Sequence, residues 1–390
     1  MASRAAQPAF LPPRPRADAP VAPAIRLVVR DWRTMQIPAE LGRWDALAQW
    51  GAEPNPFLES WYLLPALRSF DPDGAVRLLC VEADGQLAAI LPIERSNSYY
   101  GHRLPHWRSW MHDNAFLGTP LVAQSFEAIF WHEALAWVGA EDRTALFLHL
   151  PGLAEHGPLH RALLRCIDVT GRPHAEVLRE ERAMLRSTLS PEDYLDQSLS
   201  GKKRKELRRQ HRRLEEAGTV EVERTNSALG LAAWTQEFLA LERQGWKGAA
   251  GSALACDPRT ESLFVQALEG AVRRNRLERL AIRLNGKALA MLANFLCPRG
   301  AFSFKTAFNE DFARFSPGVL LQRENLEMLH RPGIDWADSC AAADHPMIDH
   351  FWRERRTITA INVGTGGPVR RQLFRAIAAW ETRSKKEPEA

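Results

Sequence analysis

The chain has 390 residues, 45% apolar residues and a formal net charge of +4, which fits a soluble globular protein with room for two domains. Five cysteines stand far apart without a C-x-x-C pair, so we expect no metal site, no disulfide framework and reduced thiols in a cytoplasmic setting. No apolar run approaches the roughly 18 residues of a membrane helix. Residues 1–23 are rich in Ala, Pro and Arg and predict a disordered arm.

The first half of the chain predicts alternating strands and helices. Asp84-Gly85 joins two strand-like runs and is typical of a type I′ hairpin, because both turn residues need positive φ. The predicted elements, in chain order, are a strand Ala24–Val29, helices Pro38–Trp50 and Phe57–Phe70, strands Val76–Ala83, Gln86–Glu94, Leu104–Trp110 and Phe116–Val122, a helix Ser125–Val138, a strand Thr144–Leu150, a helix Pro158–Asp168 and a strand Ala175–Leu178.

His102–Asn114 is rich in His and Trp. A metal site would need several of these ligands to converge. We favour the simpler interpretation, an aromatic groove or core wall.

The most basic stretch is Gly201–Arg213, in which eight residues are Lys or Arg and one is Glu, so it carries +7 while the rest of the chain sums to −3. We predict one helix from Pro191 to Ala217, with Ser190 as its N-cap and leucines on the docking side. Lys203 and Gln210 fall on the line of the leucines, and the remaining circumference is cationic. The candidate anion contacts are Lys203, Arg204 and Arg208. This cationic face is either a solvated surface or a site for phosphate, a nucleic-acid backbone or a polyanionic acceptor.

The second half repeats the order of the first: strand, hairpin turn, strand, strand, helix, strand. Its turn is Asn285-Gly286, and Gly286 follows Gly85 by 201 residues. This similarity predicts a duplicated fold. The predicted elements are strands Thr219–Arg224, Leu277–Leu284, Lys287–Leu296, Ala301–Phe308, Asp335–Cys340 and Thr357–Val363, and helices Ala228–Arg243, Pro258–Arg274, Ser316–His330 and Pro346–Arg353.

The repeated order is that of the GNAT acetyltransferase fold, and particular segments resemble one bacterial branch of it. The chain resembles the GNAT-like CelD/BcsL family associated with cellulose biosynthesis and, more distantly, the FemABX peptidyltransferases. The segments that carry the resemblance are Leu91–Glu94, Ser200–Gly218, Gly245–Gly248, Phe304–Leu321 and Asp344–Arg356.

The resemblance implies an α/β (α+β) protein of two tandem GNAT-like folds around a shared cleft. It divides the chain into the arm 1–23, a degenerate first domain 24–180, a donor-binding second domain 181–365 and a C-terminal helix and tail 366–390. The family's phosphate loop corresponds to Arg314, Ser316, Gly318 and Val319, which would bind acetyl-CoA or another acyl-CoA. This loop has a single glycine and a Pro, so it offers less room than the family pattern.

Acyl transfer to an amine needs a base and hydrogen-bond donors for the oxyanion. The resemblance places Asp338 and His345 near the reaction centre as candidate bases; the alternatives are a polar strand-edge residue and a surface histidine. All four tyrosines precede Leu195, so the family's usual tyrosine acid is missing from the second half. Cys340 is either a substitute proton donor or a buried structural cysteine.

Three further residues are candidates for contacts to the acceptor or to donor charge. Lys305 alternates with phenylalanines on a predicted strand and either meets such a charge or faces solvent. Trp246 and Lys247, between two glycines, suit a sugar or nucleotide; alternatively they form a helix C-cap with a packed Trp.

The leading functional hypothesis is N-acyl transfer from acyl-CoA to a small-molecule amine or an amino sugar of envelope polysaccharide. An enzymatic alternative is aminoacyl-tRNA-dependent transfer, with tRNA phosphates on the basic helix. The non-enzymatic alternative is an accessory protein that binds an anionic polymer or a synthase partner.

Overall fold

One mixed sheet of thirteen strands runs through the computed structural model, which describes residues 24–343, 345 and 347–384. The predicted arm 1–23 and the tail 385–390 lie outside these residues. The strands are β1 (Ile25–Asp31), β2 (Arg77–Ala83), β3 (Gln86–Ser96), β4 (His106–Ser109), β5 (Leu121–Val122), β6 (Phe147–Ala154), β7 (His174–Leu185), β8 (Val220–Thr225), β9 (Leu277–Leu284), β10 (Lys287–Cys297), β11 (Arg299–Phe308), β12 (Ile334–Asp338) and β13 (Glu354–Gly364).

Helices cover the sheet and connect its strands. They are α1 (Pro38–Trp50), α2 (Ser60–Phe70), α3 (Glu127–Glu141), α4 (Pro158–Thr170), α5 (Pro191–Ser198), α6 (Gly201–Glu216), α7 (Leu231–Gln244), α8 (Trp246–Ala249), α9 (Pro258–Arg273), α10 (Pro317–Asn325) and α11 (Pro368–Ser384). Short 3-10 segments include Pro56–Leu58, Glu310–Phe315 and Leu326–His330.

Both predicted hairpins are confirmed. The pairs β2–β3 and β9–β10 are antiparallel, and their turn residues have positive φ: 49° and 75° at Asp84 and Gly85, and 50° and 79° at Asn285 and Gly286. The order of elements repeats as predicted, with β1–β2–β3–β4–α3–β6 in the first half and β8–β9–β10–β11–α10–β12 in the second.

The two halves exchange strands at the centre of the sheet, which sequence patterns did not predict. The local order is β6-β13-β7-β12. Thus β13, from the end of the chain, pairs with β6 of the first half, and β7 pairs with β12 of the second. Because of these two pairings, each half contributes a strand to the sheet of the other. The predicted boundary between residues 180 and 181 falls inside β7.

A shared aromatic core joins the halves on one face of the sheet. Phe57 contacts Phe302 with ring centroids 5.4 Å apart, and Trp61 contacts Phe295 at 4.9 Å. Burying one such side chain contributes about 1.5–3 kcal/mol. Helices α2 and α9 approach closely here because Gly270 has no side chain; a Cβ there would lie 2.8 Å from the Cβ of Trp61.

The basic segment forms two helices, so the predicted single helix is wrong. Helix α5 ends at Ser198, Leu199 is extended, and the Ser200 hydroxyl accepts a hydrogen bond from the N–H of Lys203 and caps α6. The docking side is confirmed, because Leu199, Leu207 and Leu214 are buried.

Smaller differences concern segment ends. Only Leu121–Val122 of the predicted strand Phe116–Val122 is paired, and residues 347–351 form turns instead of a helix. Asp344 and Pro346 lie outside the described residues. The histidine- and tryptophan-rich segment forms a core wall as expected, with His106 and Trp110 buried, and the described residues include no cluster of three or more His, Cys, Asp or Glu that could hold a metal.

Within the described part of the chain, no helix combines the length and apolarity that a bilayer span requires. The five cysteines are free thiols.

Candidate functional site

Strands β11 and β12 form a fork. They pair in parallel from Arg299 to Phe302, whose partner is Asp338, and then β12 ends while β11 continues to Phe308. Phe304 is the extra residue of a β-bulge, since Ala293 of β10 pairs with Lys305 and the adjacent Asn294 pairs with Ser303. A bulge disturbs the regular ladder. Beyond Phe302, the edge of β11 therefore presents N–H and C=O groups that β12 does not pair.

Helix α10 begins beside the far end of β11. Ser316 at the N-cap position and Pro317 at the first position are confirmed, but Ser316 is left-handed, with φ 51° and ψ 53°, and its hydroxyl makes no capping hydrogen bond. The N–H of Gly318 has no acceptor among the described residues. An open helix start carries partial positive charge and favours anions.

A groove of about 470 Å³ lies between α6 and the start of α10. Its floor is apolar, with Leu207, Val319 and Phe351, and its rim is basic, with Lys202 and Lys203. The structure therefore brings together a residue expected to bind the donor, Val319, and one expected to bind an anion, Lys203. The remaining lining residues are Leu199, Ser200, Glu206, Gln210, Met347 and His350.

Gly318 lies directly behind this groove. A Cβ at Gly318 would lie 3.1 Å from the Met347 sulfur and 3.4 Å from the Phe308 ring. A larger side chain at residue 318 must therefore displace the Met347 side chain, which contacts the start of α10.

Other predicted cationic residues lie elsewhere. Arg204 pairs with Asp196 at 2.7 Å, and Arg208 lines a separate cavity of about 540 Å³ on the other side of α6. The exposed Arg314 guanidinium covers the Phe315 ring at 4.7 Å and does not line the groove. A larger cavity, of about 730 Å³ between the end of β7 and β12, is lined by none of the predicted site residues.

Asp338 lies at the base of the fork and is fully buried, and both of its carboxylate oxygens accept hydrogen bonds. Its Oδ2 accepts hydrogen bonds from Arg182 Nη2 at 2.7 Å and Arg356 Nη1 at 3.0 Å, and its Oδ1 accepts from the N–H of Cys340. Burial alone would raise the pKa of Asp338, but the two guanidiniums outweigh it and hold the pKa below its ordinary value. A carboxylate held in this way is a poor proton acceptor and a strong positioning group.

Cys340 follows β12 on the inner side of the fork. It is buried and left-handed, with φ 54°. Burial, followed by the charge of Asp338, raises the pKa of its thiol well above the ordinary value. The thiol therefore stays protonated at neutral pH and is a poor proton donor, which fits the alternative of a buried structural cysteine.

Lys305 lies on the unpaired part of β11. Its Nζ is 5.0 Å from the Phe116 ring centroid and 5.6 Å from that of Phe304. Burial, reinforced by the nearby Lys247 ammonium, lowers the pKa of Lys305 to about 8. Perturbed lysines of this kind are enriched at functional sites.

His345 is half-buried, and its Nδ1 accepts a hydrogen bond from the N–H of Met347 at 3.4 Å. No contact within the described residues joins it to Asp338. The structure therefore does not bring the two predicted bases together.

Trp246 and Lys247 have different environments. The Trp246 side chain is 58% exposed, so the alternative of a packed Trp is wrong. The Lys247 ammonium donates to Glu242 Oε1 at 2.8 Å and to the Thr306 carbonyl at 3.2 Å. This lysine therefore fixes α8 to β11 beside the fork.

Sequence reasoning missed Arg182 and gave no role to Arg356, although Arg356 lies in a segment that carries the family resemblance. Arg182 pairs with a residue 156 positions away. No local pattern marks such a partner.

Residues 201–381 match the family model described as an acetyltransferase (GNAT) domain. The fork, α6 and α10 all lie within this domain. A search of curated proteins finds no significant sequence match.

Several solved structures share the fold over most of the chain. FemX superposes with a TM-score of 0.54 at 10% identity, covering 87% of this chain and 98% of its own. A conserved Bacteroides thetaiotaomicron protein of unknown function gives 0.53 at 12%, covering 87% and 100%. The C-terminal DUF2156 domain of a putative lysylphosphatidylglycerol synthetase from Agrobacterium fabrum gives 0.52 at 12%, covering 86% and 93%. At these identities the likeness concerns the fold. Together with the GNAT match, it confirms the predicted fold class.

The first half has a corresponding fork that is closed. Strands β4 and β6 pair in parallel at Trp107 and Arg108, and β4 ends at Ser109. The following chain fills the gap, because the N–H of Gly118 donates to the carbonyl of Gly152 at 2.8 Å. The open fork is therefore the one in the GNAT domain.

Proposed function

We propose that the protein is an N-acyltransferase that takes an acyl group from acetyl-CoA or another acyl-CoA. The observation that carries this proposal is the open β11–β12 fork beside the uncapped start of α10, within the segment that matches the GNAT domain. The acceptor is an amine on a small molecule or an amino sugar, and a role in envelope polysaccharide metabolism follows only from the CelD/BcsL resemblance.

The groove supplies complementary contacts for the donor. Lys202 and Lys203 on its rim suit the phosphates, and the partial positive charge at the start of α10, directly behind the groove, favours the same anion. The apolar floor at Leu207 and Val319 suits the uncharged part of the donor. The free edge of β11 offers alternating N–H and C=O groups to the amide-containing arm.

The fork also supplies groups for the chemistry. Amine attack on the thioester carbonyl develops negative charge on oxygen, and N–H groups near the bulge at Phe304 are suited to stabilise it. Asp338 orients Arg182 and Arg356. The departing thiolate takes its proton from solvent, because the raised pKa of Cys340 makes that thiol a weaker acid than the thiol it would protonate. His345 remains the candidate base for the proton of the amine.

Thermal-shift measurements with acetyl-CoA and longer acyl-CoAs test donor binding, because a ligand specific for the folded state raises Tm by mass action. We expect a shift that Gly318→Glu abolishes and that Lys202→Met/Lys203→Met weakens. Gly42→Glu is the matched control, since Gly42 is exposed on α1 and its Cβ would meet no atom within 4 Å. The absence of a shift with every acyl-CoA would rule out the proposal.

A second candidate function is aminoacyl-tRNA-dependent transfer, which the FemABX resemblance implies. The observation in its favour is that the cationic face of α6 extends past the groove, to exposed residues such as Lys205, Arg208 and Arg213. Binding of tRNA to this face should weaken steeply as salt rises, because phosphate contacts release counterions.

Gel-shift titration with bulk tRNA at two salt concentrations tests the second candidate. Combined replacement of Lys203, Arg204, Arg208 and Arg212 by Gln should abolish binding. Unchanged binding would show that this face is only a solvated surface.

A further inference from the structure

Phe116 joins two cationic groups at the mouth of the fork. The centroid of its ring lies 5.0 Å from the Lys305 ammonium. Its carbonyl accepts a hydrogen bond from Arg182 Nη1 at 2.6 Å. Its ring also contacts Phe57 and Phe304 at 5.7 and 6.0 Å. Residues from both halves therefore form one wall beside the unpaired edge of β11.

Polar hydrogens on this wall lack acceptors. Among the described residues, nothing accepts a hydrogen bond from Lys305 Nζ. The Nε2 of His112 and the Nε of Arg182 are buried without a partner. Since His112 Nδ1 accepts from the N–H of Asn114 at 3.3 Å, its proton lies on Nε2. Buried donors without partners are rare and require an explanation.

The charge of the wall is positive. Asp338 balances one of the two guanidiniums that it binds, which leaves the other guanidinium and Lys305 without an anionic partner. Asp113 is exposed and forms no ion pair with Lys305, and the nearby Glu242 is neutralised by Lys247 at 2.8 Å. The wall therefore has an excess of about two positive charges in a partly desolvated setting, where electrostatic attraction is strong.

We propose that the acceptor amine carries an acidic group, a phosphate or a carboxylate, and that Lys305 binds this group. The inference rests on the proposed function, because it names the acceptor class of that site. The acidic group lies against the Lys305 ammonium, above the rings of Phe116 and Phe304. Among the described residues, no carboxylate forms an ion pair with this ammonium, so none competes with the acidic group of the acceptor.

Binding of matched amine pairs, without any donor, tests the inference separately from acyl transfer. The first pair is glucosamine 6-phosphate and glucosamine, and the second is glycine and glycinamide. We expect the acidic member of at least one pair to raise Tm and to bind at least about tenfold more tightly than its neutral partner. The pair that responds identifies whether phosphate or carboxylate is recognised.

Lys305→Met should remove the preference for the acidic member, and Lys305→Arg should restore part of it. The control is Lys287→Met, because Lys287 is an exposed lysine at the start of the neighbouring β10. Equal binding of acidic and neutral amines, binding of neither, or a preference that persists in Lys305→Met would overturn the inference. Failure of acyl-CoA to bind would overturn the proposed function and leave this result intact.

Discussion

The two forks of the sheet share a topology and differ in what occupies them. In the first half, the gap after β4 is filled by the chain itself, and a Cβ on Gly118 would lie 2.0 Å from the Pro151 carbonyl oxygen. In the second half, β11 continues alone past Phe302 and its edge stays open. A duplicated fold can thus keep one copy as a site and use the other as a wall of the cleft.

The two forks also differ in the burial of their charged groups. At the closed fork, the ion pair of Arg108 with Glu94 at 2.7 Å is partly exposed, and the buried contact of His149 Nδ1 with Asn362 Oδ1 is neutral. The open fork is held by the ion cluster of Arg182, Asp338 and Arg356. Charged groups cost more to bury, so their presence at the open fork favours a role in binding or catalysis.

The largest expected effect comes from removing the anion of the open fork. Asp338→Ala leaves two guanidiniums without a partner, and we expect a loss of about 3–5 kcal/mol in the free energy of unfolding. Urea denaturation measures it. Asp335→Ala, which removes a partner of exposed Arg299, should cost below about 1 kcal/mol. Equal effects of the two changes would contradict the importance of the buried cluster.

The closed fork should respond to mild acid. Burial is the main cause that lowers the pKa of His149 to about 4 from an ordinary 6.5. Below pH 6.5 the unfolded chain takes up a proton that the folded chain refuses until about pH 4, so stability should fall by up to about 3 kcal/mol across this range. Denaturation at pH 7 and pH 5 checks the slope. His149→Gln should make it shallower, and the slope that remains comes from the other buried histidines whose pKa values are lowered, such as His112.

Lys305→Met should stabilise the protein, in contrast to the changes above. The folded pKa of about 8 lies below the ordinary 10.5, so keeping this ammonium in the folded state is unfavourable below pH 8. We expect a gain of about 1–3 kcal/mol at pH 7 that disappears as pH rises from 8 to 10.5. A loss of stability on urea denaturation would show that the ammonium has a structural partner.

The smallest effects come from paired glycine changes that compare the forks directly. Gly118→Ala places a Cβ against backbone and should cost about 1–3 kcal/mol. Gly318→Ala meets the flexible end of Met347 and should cost less than about 1 kcal/mol while weakening acyl-CoA binding. Melting temperatures and donor titrations of the two variants separate the structural glycine from the one at the site.

Local chemistry explains what was predictable from sequence. The hairpins at Asp84-Gly85 and Asn285-Gly286 follow from the conformational preferences of adjacent residues. The break in the basic segment was also readable, because Ser200 before Gly201 is good N-cap chemistry; the leucine spacing concealed it. Ser316 occupies the predicted N-cap position, but its left-handed backbone and the absence of a capping hydrogen bond from its hydroxyl were not readable from sequence.

Long-range pairing explains what was not predictable. Arg182 and Asp338 meet only because β7 crosses to β12, and no periodicity specifies which strand an edge will accept. Sequence therefore offered single candidate residues, such as Lys203, Val319 and Lys305, but not their arrangement: Lys203 and Val319 line a groove between helices, and Lys305 lies apart from it beside the fork.

The exchange of β7 and β13 has a consequence for how the chain folds as it is made. Because β13 lies between β6 and β7, the sheet of the first half stays incomplete until residue 364 has left the ribosome. Until then, β6 presents an open edge that can pair with other chains. Contacts of such long sequence separation also slow folding. We therefore expect nascent chains that stop before β13 to depend on chaperones or to aggregate.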